Sequence, residues 1–181
     1  TLDIGCGEGR LPRDLKALGH EVIGIDASPT LIEHARQADP GGDYQVADAS
    51  ALPVPDGSVS LITAFMTLHD VDDLDAALRE IRRVMQPDAT LAVAIVHPIN
   101  SAGAFESSQH DAEFRISSYL DERGYVDVVE RDGLHMRFAS RHRPLQTYFA
   151  ALDAVGLAVD RVREVPDSTA PPASRWRRVP L

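Results

Sequence analysis

Short apolar runs alternate with segments of helical period along the first half of the chain. Strands are expected at about residues 1–5, 21–25, 43–47, 58–65 and 90–96, and helices at about 8–18, 29–38 and 73–85. Gly19, Ser28-Pro29 and Pro87 stand where helix ends and starts are expected. Continuous apolar strands between helices are typical of a parallel sheet covered on both faces. The sequence therefore predicts an α/β fold with a mostly parallel sheet and helices on both faces.

Length and composition limit the classes of protein. The 181 residues, 44% of them hydrophobic, predict one folded domain, and the formal charge of -10 disfavours nucleic acid as a partner. Cys6 is the only cysteine, which rules out an intrachain disulfide or a cysteine-based metal cage and favours a reducing, cytoplasmic location. Apolar runs such as Leu91 to Val96 are much shorter than the roughly 20 residues that cross a bilayer, so no membrane partner is expected.

Both ends of the chain suggest missing residues. Thr1 to Gly5 reads as the second half of a buried strand, and the sequence stops at Leu181 as an apolar run begins. We expect the chain to be a domain shortened at both termini.

The pattern changes between about residues 97 and 143. Residues 125–129 and 134–138 alternate apolar and polar side chains around Asp132-Gly133, which predicts a β-hairpin. A helix at about 144–155 with Gly156 after it, a strand at about 157–164 and a loop from Ser168 to Ser174 follow. The expected layout is a single domain with an α/β half (1–97), a long insertion that contains the hairpin (98–143) and a C-terminal helix and strand (144–181).

A strand runs into a glycine-rich turn at residues 2–10, Leu-Asp-Ile-Gly-Cys-Gly-Glu-Gly-Arg. Such a turn lets the backbone approach a ligand, but Arg10 occupies the third glycine position of the dinucleotide fingerprint. Asp3 lies at the end of the buried strand, where a carboxylate needs a cation or good donors. This favours a ligand with an ammonium and a sulfonium group over a pyrophosphate.

Two further acids end the next two strands. Asp26 could accept both hydroxyls of a ribose, or could be a surface acid or helix cap. Asp48, beside the backbone N–H of Ala49, matches the amino and ring-nitrogen edge of adenine, or could be a strand-end turn residue. Because ligands of open α/β sheets bind at the carboxyl ends of the strands, three acids at three successive ends favour a ligand site.

Several segments together resemble the class I S-adenosylmethionine-dependent methyltransferases, in particular the small-molecule type that includes quinone-biosynthesis enzymes and many bacterial members. The resemblance rests on residues 2–9, the strand ending in Asp26, 47–53, 56–58, 68–71 and 78–84. It implies a Rossmann-like sheet of seven strands in the order 3-2-1-4-5-7-6, with an antiparallel seventh strand that would begin near Val179.

The resemblance also implies a set of cofactor-binding residues. Those implied to bind S-adenosylmethionine are Asp3, Gly5, Cys6, Gly7, Asp26, Ala27, Asp48, Ala49 and Phe65. Among them, Asp26 would bind the ribose, Asp48 and Ala49 the adenine, and Phe65 the cofactor's amino-acid portion through its backbone. The fourth strand ends without an Asn/Asp-Pro-Pro-Tyr motif, so methylation of adenine or glutamine amide nitrogens is not expected.

The implied function is methyl transfer to the oxygen, nitrogen or carbon of a small molecule by in-line displacement, with S-adenosylhomocysteine as product. Residues 1–97 would then be the cofactor-binding half, and residues 98–143, too long for a simple connection, a cap over the acceptor. Alignment and exclusion of water provide much of such catalysis. His69 and His97 are candidate general bases and His142 a weaker one, since imidazole titrates near neutral pH. The alternatives are loop shaping for His69, a turn for His97-Pro98 and a solvated charge cluster around His142.

Other interpretations stay open at this point. Aromatic and apolar residues could line an acceptor pocket or belong to the core, namely Tyr119, Tyr125, Met136, Phe138 and Tyr148. The chain could also be a module that binds S-adenosylmethionine or its product without catalysis, because fold alone does not define function. A nicotinamide-dependent reductase is a third candidate, which the glycine spacing and Asp3 disfavour.

Overall fold

The computed structural model describes residues 1–131, 134–166, 174 and 179–180. The chain divides into two compact units, residues 1–95 and residues 96–181. The predicted single domain with boundaries at residues 97 and 143 remains a prediction. Within the described residues, no helix has the length and apolar character needed to cross a bilayer.

The first unit is a five-stranded parallel sheet with intervening helices. Its elements are β1 (Leu2–Ile4), α1 (Arg10–Ala17), β2 (Ile23–Asp26), α2 (Pro29–Ala38), β3 (Asp43–Val46), β4 (Val59–Phe65), α3 (Leu74–Val84) and β5 (Met85–Ala94). The strand order is β3-β2-β1-β4-β5, and every pair is parallel. Because parallel crossovers are right-handed, this order puts α1 and α2 on one face and α3 on the other. The predicted α/β architecture is confirmed.

The core of this unit forms where the apolar strands meet the apolar stripes of the helices. In β1, β2 and β4 the side chains of Leu2, Ile25 and Ile62 are buried, and in α3 those of Leu78 and Ile81 are buried. From β1 the chain proceeds outward to β3 at one edge of the sheet, and from β4 it proceeds to β5 at the other. The strand order reverses between β1 and β4. This is the point where ligands of open α/β sheets bind.

Helix α2 starts at the residues that the sequence predicted. The Ser28 hydroxyl accepts a hydrogen bond from Leu31 N at the start of α2, and Pro29 occupies the first turn. The end of α3 is different from the prediction. The helix ends at Val84, and β5 begins at once, so Pro87 lies inside β5 rather than just beyond a helix. Because β5 is the outer strand of the described sheet, a residue without an N–H is tolerated there.

The second unit consists of antiparallel ribbons and helices. It contains α4 (Ile99–Ala102), β6 (Gly103–Phe105), β7 (Phe114–Ile116), β8 (Arg123–Arg131), β9 (Leu134–His142) and α5 (Leu145–Ala154). Strand β6 pairs with β7 and β8 with β9, so the predicted hairpin is confirmed with strands longer than expected. Its turn at Asp132-Gly133 lies outside the described residues. The β6–β7 ribbon has no counterpart among the predictions.

The prediction of a strand at about residues 157–164 is wrong. Residues 157–166 have no regular secondary structure, and Val159, Val162 and Val165 are exposed. Spaced valines favour a strand only where a neighbouring strand pairs with it. The described sheet therefore has five strands instead of the seven implied by the resemblance. The segments predicted as a loop at 168–174 and a last strand near Val179 lie largely outside the described residues.

Candidate cofactor-binding site

A cavity of about 510 Å³ opens at the carboxyl ends of the strands of the first unit. The sequence-predicted residues that line it are Gly5, Gly7, Asp26, Ala27, Asp48 and Ala49. The remaining lining residues are Ile4, Leu31, Ser50, Met66, Thr67, Asp70, Val71, Asp72 and Asp73. Its volume lies in the usual range for a small-molecule site, about 300–1,000 Å³. Four segments separated in the chain, at residues 4–7, 26–31, 48–50 and 66–73, therefore meet at one site.

The glycine turn brings the backbone to the edge of the cavity. Gly5 has φ 70°, and a Cβ built there would lie 2.1 Å from Thr67 Oγ1. Gly9 has φ 79°, and its Cβ would meet the ring of Tyr44 at 2.8 Å. Only glycine fits both the left-handed backbone and these close neighbours. The turn is thus packed against β3 through Tyr44 and against the end of β4 through Thr67.

Asp26 connects the glycine turn to the start of α2. Its Oδ2 accepts a hydrogen bond from Gly7 N at 2.9 Å, and its Oδ1 accepts one from Ser28 N at 2.8 Å. Each carboxylate oxygen has two lone pairs, so each retains acceptor capacity on the cavity side. Asp26 is therefore oriented by hydrogen bonds within the protein.

Asp48 and Ala49 form a turn at the end of β3. Asp48 Oδ1 accepts from Ser50 N at 2.8 Å and from Ser50 Oγ at 2.6 Å. The Ser50 hydroxyl beside this carboxylate holds the pKa of Asp48 below its usual range, so the side chain is ionised at neutral pH. Among the described residues, no acceptor pairs with the N–H of Ala49. One anionic acceptor and one backbone donor thus stand side by side at the cavity.

The lining carries a concentrated negative charge. Five aspartates belong to it, and no lysine, arginine or histidine is among the lining residues that the structure describes. Asp70, Asp72 and Asp73 come from the segment between β4 and α3, where Asp73 also caps α3 by accepting from Ala76 N at 2.8 Å. In the described residues no cluster of three or more His, Cys, Asp or Glu side chains is arranged to hold a metal ion. The charge of this cavity fits a cationic organic ligand.

Three of the predicted cofactor-binding residues do not line the cavity. Asp3 is 2% exposed, and its Oδ1 accepts a hydrogen bond from Thr63 Oγ1 at 2.5 Å. Burial raises the pKa of Asp3 to about 6, the Thr63 hydroxyl opposes this, and the charge of Asp26 adds to it. Burial likewise raises the pKa of the Cys6 thiol to about 12. Phe65 is 50% exposed, and the next two residues in the chain line the cavity instead.

His69 is not one of the lining residues of the cavity but neighbours one of them, Asp70. His69 is 8% exposed, and its Nε2 lies 3.6 Å from Asp70 Oδ1. His97 belongs to the second unit, where its Nδ1 accepts from Ile99 N at 3.1 Å and its Nε2 lies 2.8 Å from Glu164 Oε1. The Nδ1 of His97 thus has a hydrogen-bond partner, whereas Nε2 lies within ion-pair distance of a carboxylate. General-base roles for these two histidines remain predictions.

His142 is buried, so the solvated charge cluster is wrong. His142 is 1% exposed and the neighbouring Arg143 4% exposed. The Nε2 of His142 lies 2.8 Å from the Tyr119 carbonyl, which can only accept, so this nitrogen carries the proton. In the neutral ring, Nδ1 then accepts from the Ser101 hydroxyl at 2.7 Å. His142 therefore joins three segments of the second unit.

Of the aromatic candidates for an acceptor pocket, Tyr148 is 8% exposed and is a core residue. Tyr119 and Tyr125 are half-buried. The side chains of Met136 and Phe138 lie outside the described residues. These observations favour the core interpretation for Tyr148.

The sequence did not predict that the residues just after β4 line the cavity. Met66 has φ 57°, the one left-handed non-glycine residue within the described part of the chain, and it lines the cavity together with Thr67. A methionine carries no signal for this backbone conformation. The acids at 70, 72 and 73 did provide a signal, because three aspartates cluster between a buried strand and the next helix.

The sequence is similar to those of known methyltransferases. Malonyl-[acyl-carrier protein] O-methyltransferase of Yersinia pestis is 36% identical over 87 residues, which cover 48% of this chain and 33% of that protein. Demethylmenaquinone methyltransferase of Thermus thermophilus is 36% identical over 110 residues, covering 58% of this chain and 50% of that protein. The chain spans about one third to one half of the length of these curated relatives.

Solved structures extend the similarity to the second unit. An S-adenosylmethionine-dependent methyltransferase from Mesorhizobium loti superposes with a TM-score of 0.77 at 27% identity, covering 93% of this chain and 79% of that one. A family model described as a methyltransferase domain matches residues 2–93, just over half of the 181 residues. The resemblance inferred from the sequence is confirmed, and the chain belongs to the methyltransferase-domain family, among the class I S-adenosylmethionine-dependent methyltransferases.

Proposed function

We propose that this protein transfers a methyl group from S-adenosylmethionine to a small-molecule acceptor. The observation that carries the proposal is the cavity at the strand ends, where the described lining combines a glycine turn with five aspartates and has no basic residue. The cofactor is cationic at its ammonium and sulfonium groups, so this lining attracts it. A phosphate-bearing dinucleotide would meet repulsion at the same place.

The chain offers groups suited to each part of the cofactor. The second lone pairs of Asp26 would accept the ribose hydroxyls while Gly7 and Ser28 hold the carboxylate. Asp48 and the N–H of Ala49 would take the adenine edge. Gly5 and Thr67, which pack against each other and both line the cavity, would lie beside the amino-acid portion. This fit supports S-adenosylmethionine as the cofactor.

When bound, S-adenosylmethionine supplies a methyl group on a cationic sulfur, which a nucleophile displaces in line. The protein's task is to orient both reactants and to keep water away, since proximity provides much of the rate. A protonated acceptor needs a base as well. We keep His69 and His97 as proposed bases, supported by their positions after β4 and β5.

The acceptor is proposed to be bound by residues 98–143. Support comes from their position outside the matched residues 2–93 and from a length beyond that of an ordinary connection. Two relatives are described as acting on malonyl-acyl-carrier protein and on demethylmenaquinone. We therefore propose a small molecule, free or carrier-bound, methylated at oxygen, nitrogen or carbon.

Calorimetry followed by turnover assays tests the proposal. We expect S-adenosylmethionine and S-adenosylhomocysteine to bind, NADH to give no heat, and labelled methyl to move to a member of a panel that includes a malonyl thioester and a demethylated quinone. Binding of both ligands without turnover on a broad acceptor panel would instead favour the non-catalytic module. Binding of NADH and not of the sulfonium ligand would reject the proposal.

A further inference from the structure

We propose that Arg83 and Glu80 of α3 are positioning residues that hold the turn at residues 48–51 in the orientation that recognises adenine. The inference rests on the proposed function, because it assigns that turn to the adenine. The segment 78–84 contributed to the family resemblance without a role for its charged residues. Its contacts in the structure provide one.

Arg83 binds the chain just after the turn. Its Nη2 donates to the Leu52 carbonyl at 2.9 Å, and its Nη1 donates to the Val54 carbonyl at 2.9 Å. The same Nη1 lies 2.5 Å from Asp56 Oδ1. A planar guanidinium with several fixed donors can satisfy two carbonyls and a carboxylate at once, whereas a lysine ammonium cannot match this geometry. The Arg83 side chain therefore binds the backbone at Leu52 and Val54 and the side chain of Asp56.

Glu80 orients Arg83 and binds the same segment. Its Oε1 accepts from Arg83 Nε at 2.8 Å, and its Oε2 accepts from Arg83 Nη2 at 2.7 Å. Oε2 also accepts from Leu52 N at 2.8 Å. Leu52 thus has its N–H bound to Glu80 and its carbonyl bound to Arg83. The two oppositely charged side chains lower the pKa of Glu80 and raise that of Arg83, mainly through their shared hydrogen bonds.

The turn and the clamped segment are continuous. Ala51 N donates to the Asp48 carbonyl at 3.0 Å, and Leu52 follows directly. At the far end of the loop, Gly57 N donates to the Arg83 carbonyl at 2.9 Å, so the same residue binds the loop through its backbone. Displacement of Leu52 would therefore be transmitted to Asp48 and Ala49. The side chains of Glu80 and Arg83 are half-buried and do not line the cavity, so we expect them to affect ligand recognition through the turn.

The test compares two ligands that differ only at the adenine edge. S-adenosylhomocysteine presents an amino group to Asp48, whereas S-inosylhomocysteine presents a carbonyl oxygen there. We expect the wild-type protein to prefer the adenine form by about 10- to 100-fold, as a site built for a donor rejects an analogue that lacks it. In Arg83→Lys this preference should fall about tenfold, mostly through weaker binding of the adenine form.

Arg82→Ala is the matched control, because Arg82 neighbours Arg83 on the same helix and is exposed. It should keep the wild-type preference. Glu80→Gln should also lower the preference, and it provides the same measurement if Arg83→Lys does not fold. A folded Arg83→Lys or Glu80→Gln variant with the wild-type preference would overturn the inference alone. A wild-type protein that binds neither ligand would overturn the proposed function, and the inference with it.

Discussion

The two units of the molecule use polar residues in opposite ways. In residues 1–95, carboxylates collect at one edge of a parallel sheet and line a cavity. In residues 96–181, the polar side chains of Ser101 and His142 are bound to each other and to backbone, joining antiparallel ribbons and helices. Charge follows the same division, since residues 1–100 have 16 acids and 7 bases, whereas residues 101–181 have 12 and 11.

This difference indicates where function and stability depend on polar groups. A parallel α/β unit is stabilised by its apolar strands, so its strand ends are available for a ligand. Short ribbons bury less apolar surface, and a buried histidine network then becomes part of the structural support. We expect substitutions of polar residues to affect ligand affinity in the first unit and folding in the second.

The largest expected effect is that of Gly5→Ala. The new Cβ would meet Thr67 in a left-handed backbone, and the steric and conformational costs together should lower the free energy of unfolding by about 3 kcal/mol. Gly7→Ala is the matched control, because Gly7 has φ 56° but nothing within 4 Å of a built Cβ. Urea denaturation should give a loss of about 1 kcal/mol for it. Equal losses for both variants would contradict the close approach at Gly5.

Next comes His142→Ala in the second unit. It leaves the Tyr119 carbonyl and the Ser101 hydroxyl without their buried partner and should cost about 2–3 kcal/mol. Hydrogen exchange should become faster in β8 and β9 while β1 and β4 keep their protection. The exposed His110 supplies the control variant His110→Ala, which should be neutral. Equal loss of protection in both units would remove the contrast between them.

A third prediction concerns pH. The pKa of Asp3 is raised to about 6 from 3.8, so the folded state binds this proton more tightly than the unfolded chain. Stability from this group is therefore present below pH 4 and is lost as the pH rises through 6. Between pH 4 and pH 7 the wild-type protein should lose about 2 kcal/mol more than Asp3→Asn. Parallel pH profiles of the two proteins would show that Asp3 is not the group responsible.

The smallest effect is expected for Asp26→Asn. Loss of one charged acceptor should weaken S-adenosylhomocysteine binding about tenfold, measured by calorimetry, with little change in the urea midpoint. Asp111→Asn, an exposed acid of the second unit, should leave the affinity unchanged. A similar decrease in both variants would mean that net charge alone attracts the ligand.

The alternation of apolar strands with helical segments was sufficient to predict most of the first unit, although β3, Asp-Tyr-Gln-Val, is largely polar and α3 ends earlier than predicted. Local signals marked the starts of helices. Ser28 at the start of α2 and Gly9 before α1 are examples of such local signals. The second unit contains weaker ones. Strand β6 has three residues and pairs with β7, across a loop whose length no local pattern sets. The valines of residues 157–166 show the reverse failure, a strand pattern without a partner strand.

For the site, chain order was the useful signal. Asp26 and Asp48 end successive strands, and parallel strands bring their ends to one edge. Contacts at longer range were not predictable. The ring of Tyr44 against Gly9 depends on packing between β3 and the glycine turn. Which of Phe65, Met66 and Thr67 faces the cavity depends on one backbone angle after β4.

Because of this backbone angle, the stability of the protein and its affinity for a ligand make opposite demands on residue Met66. The left-handed backbone of Met66 costs the folded protein about 1 kcal/mol relative to a glycine at the same φ. Glycine would relieve the strain but would remove a flexible apolar side chain from the lining. Selection for thermal stability should therefore favour glycine or asparagine at this position, whereas selection for ligand affinity should retain methionine.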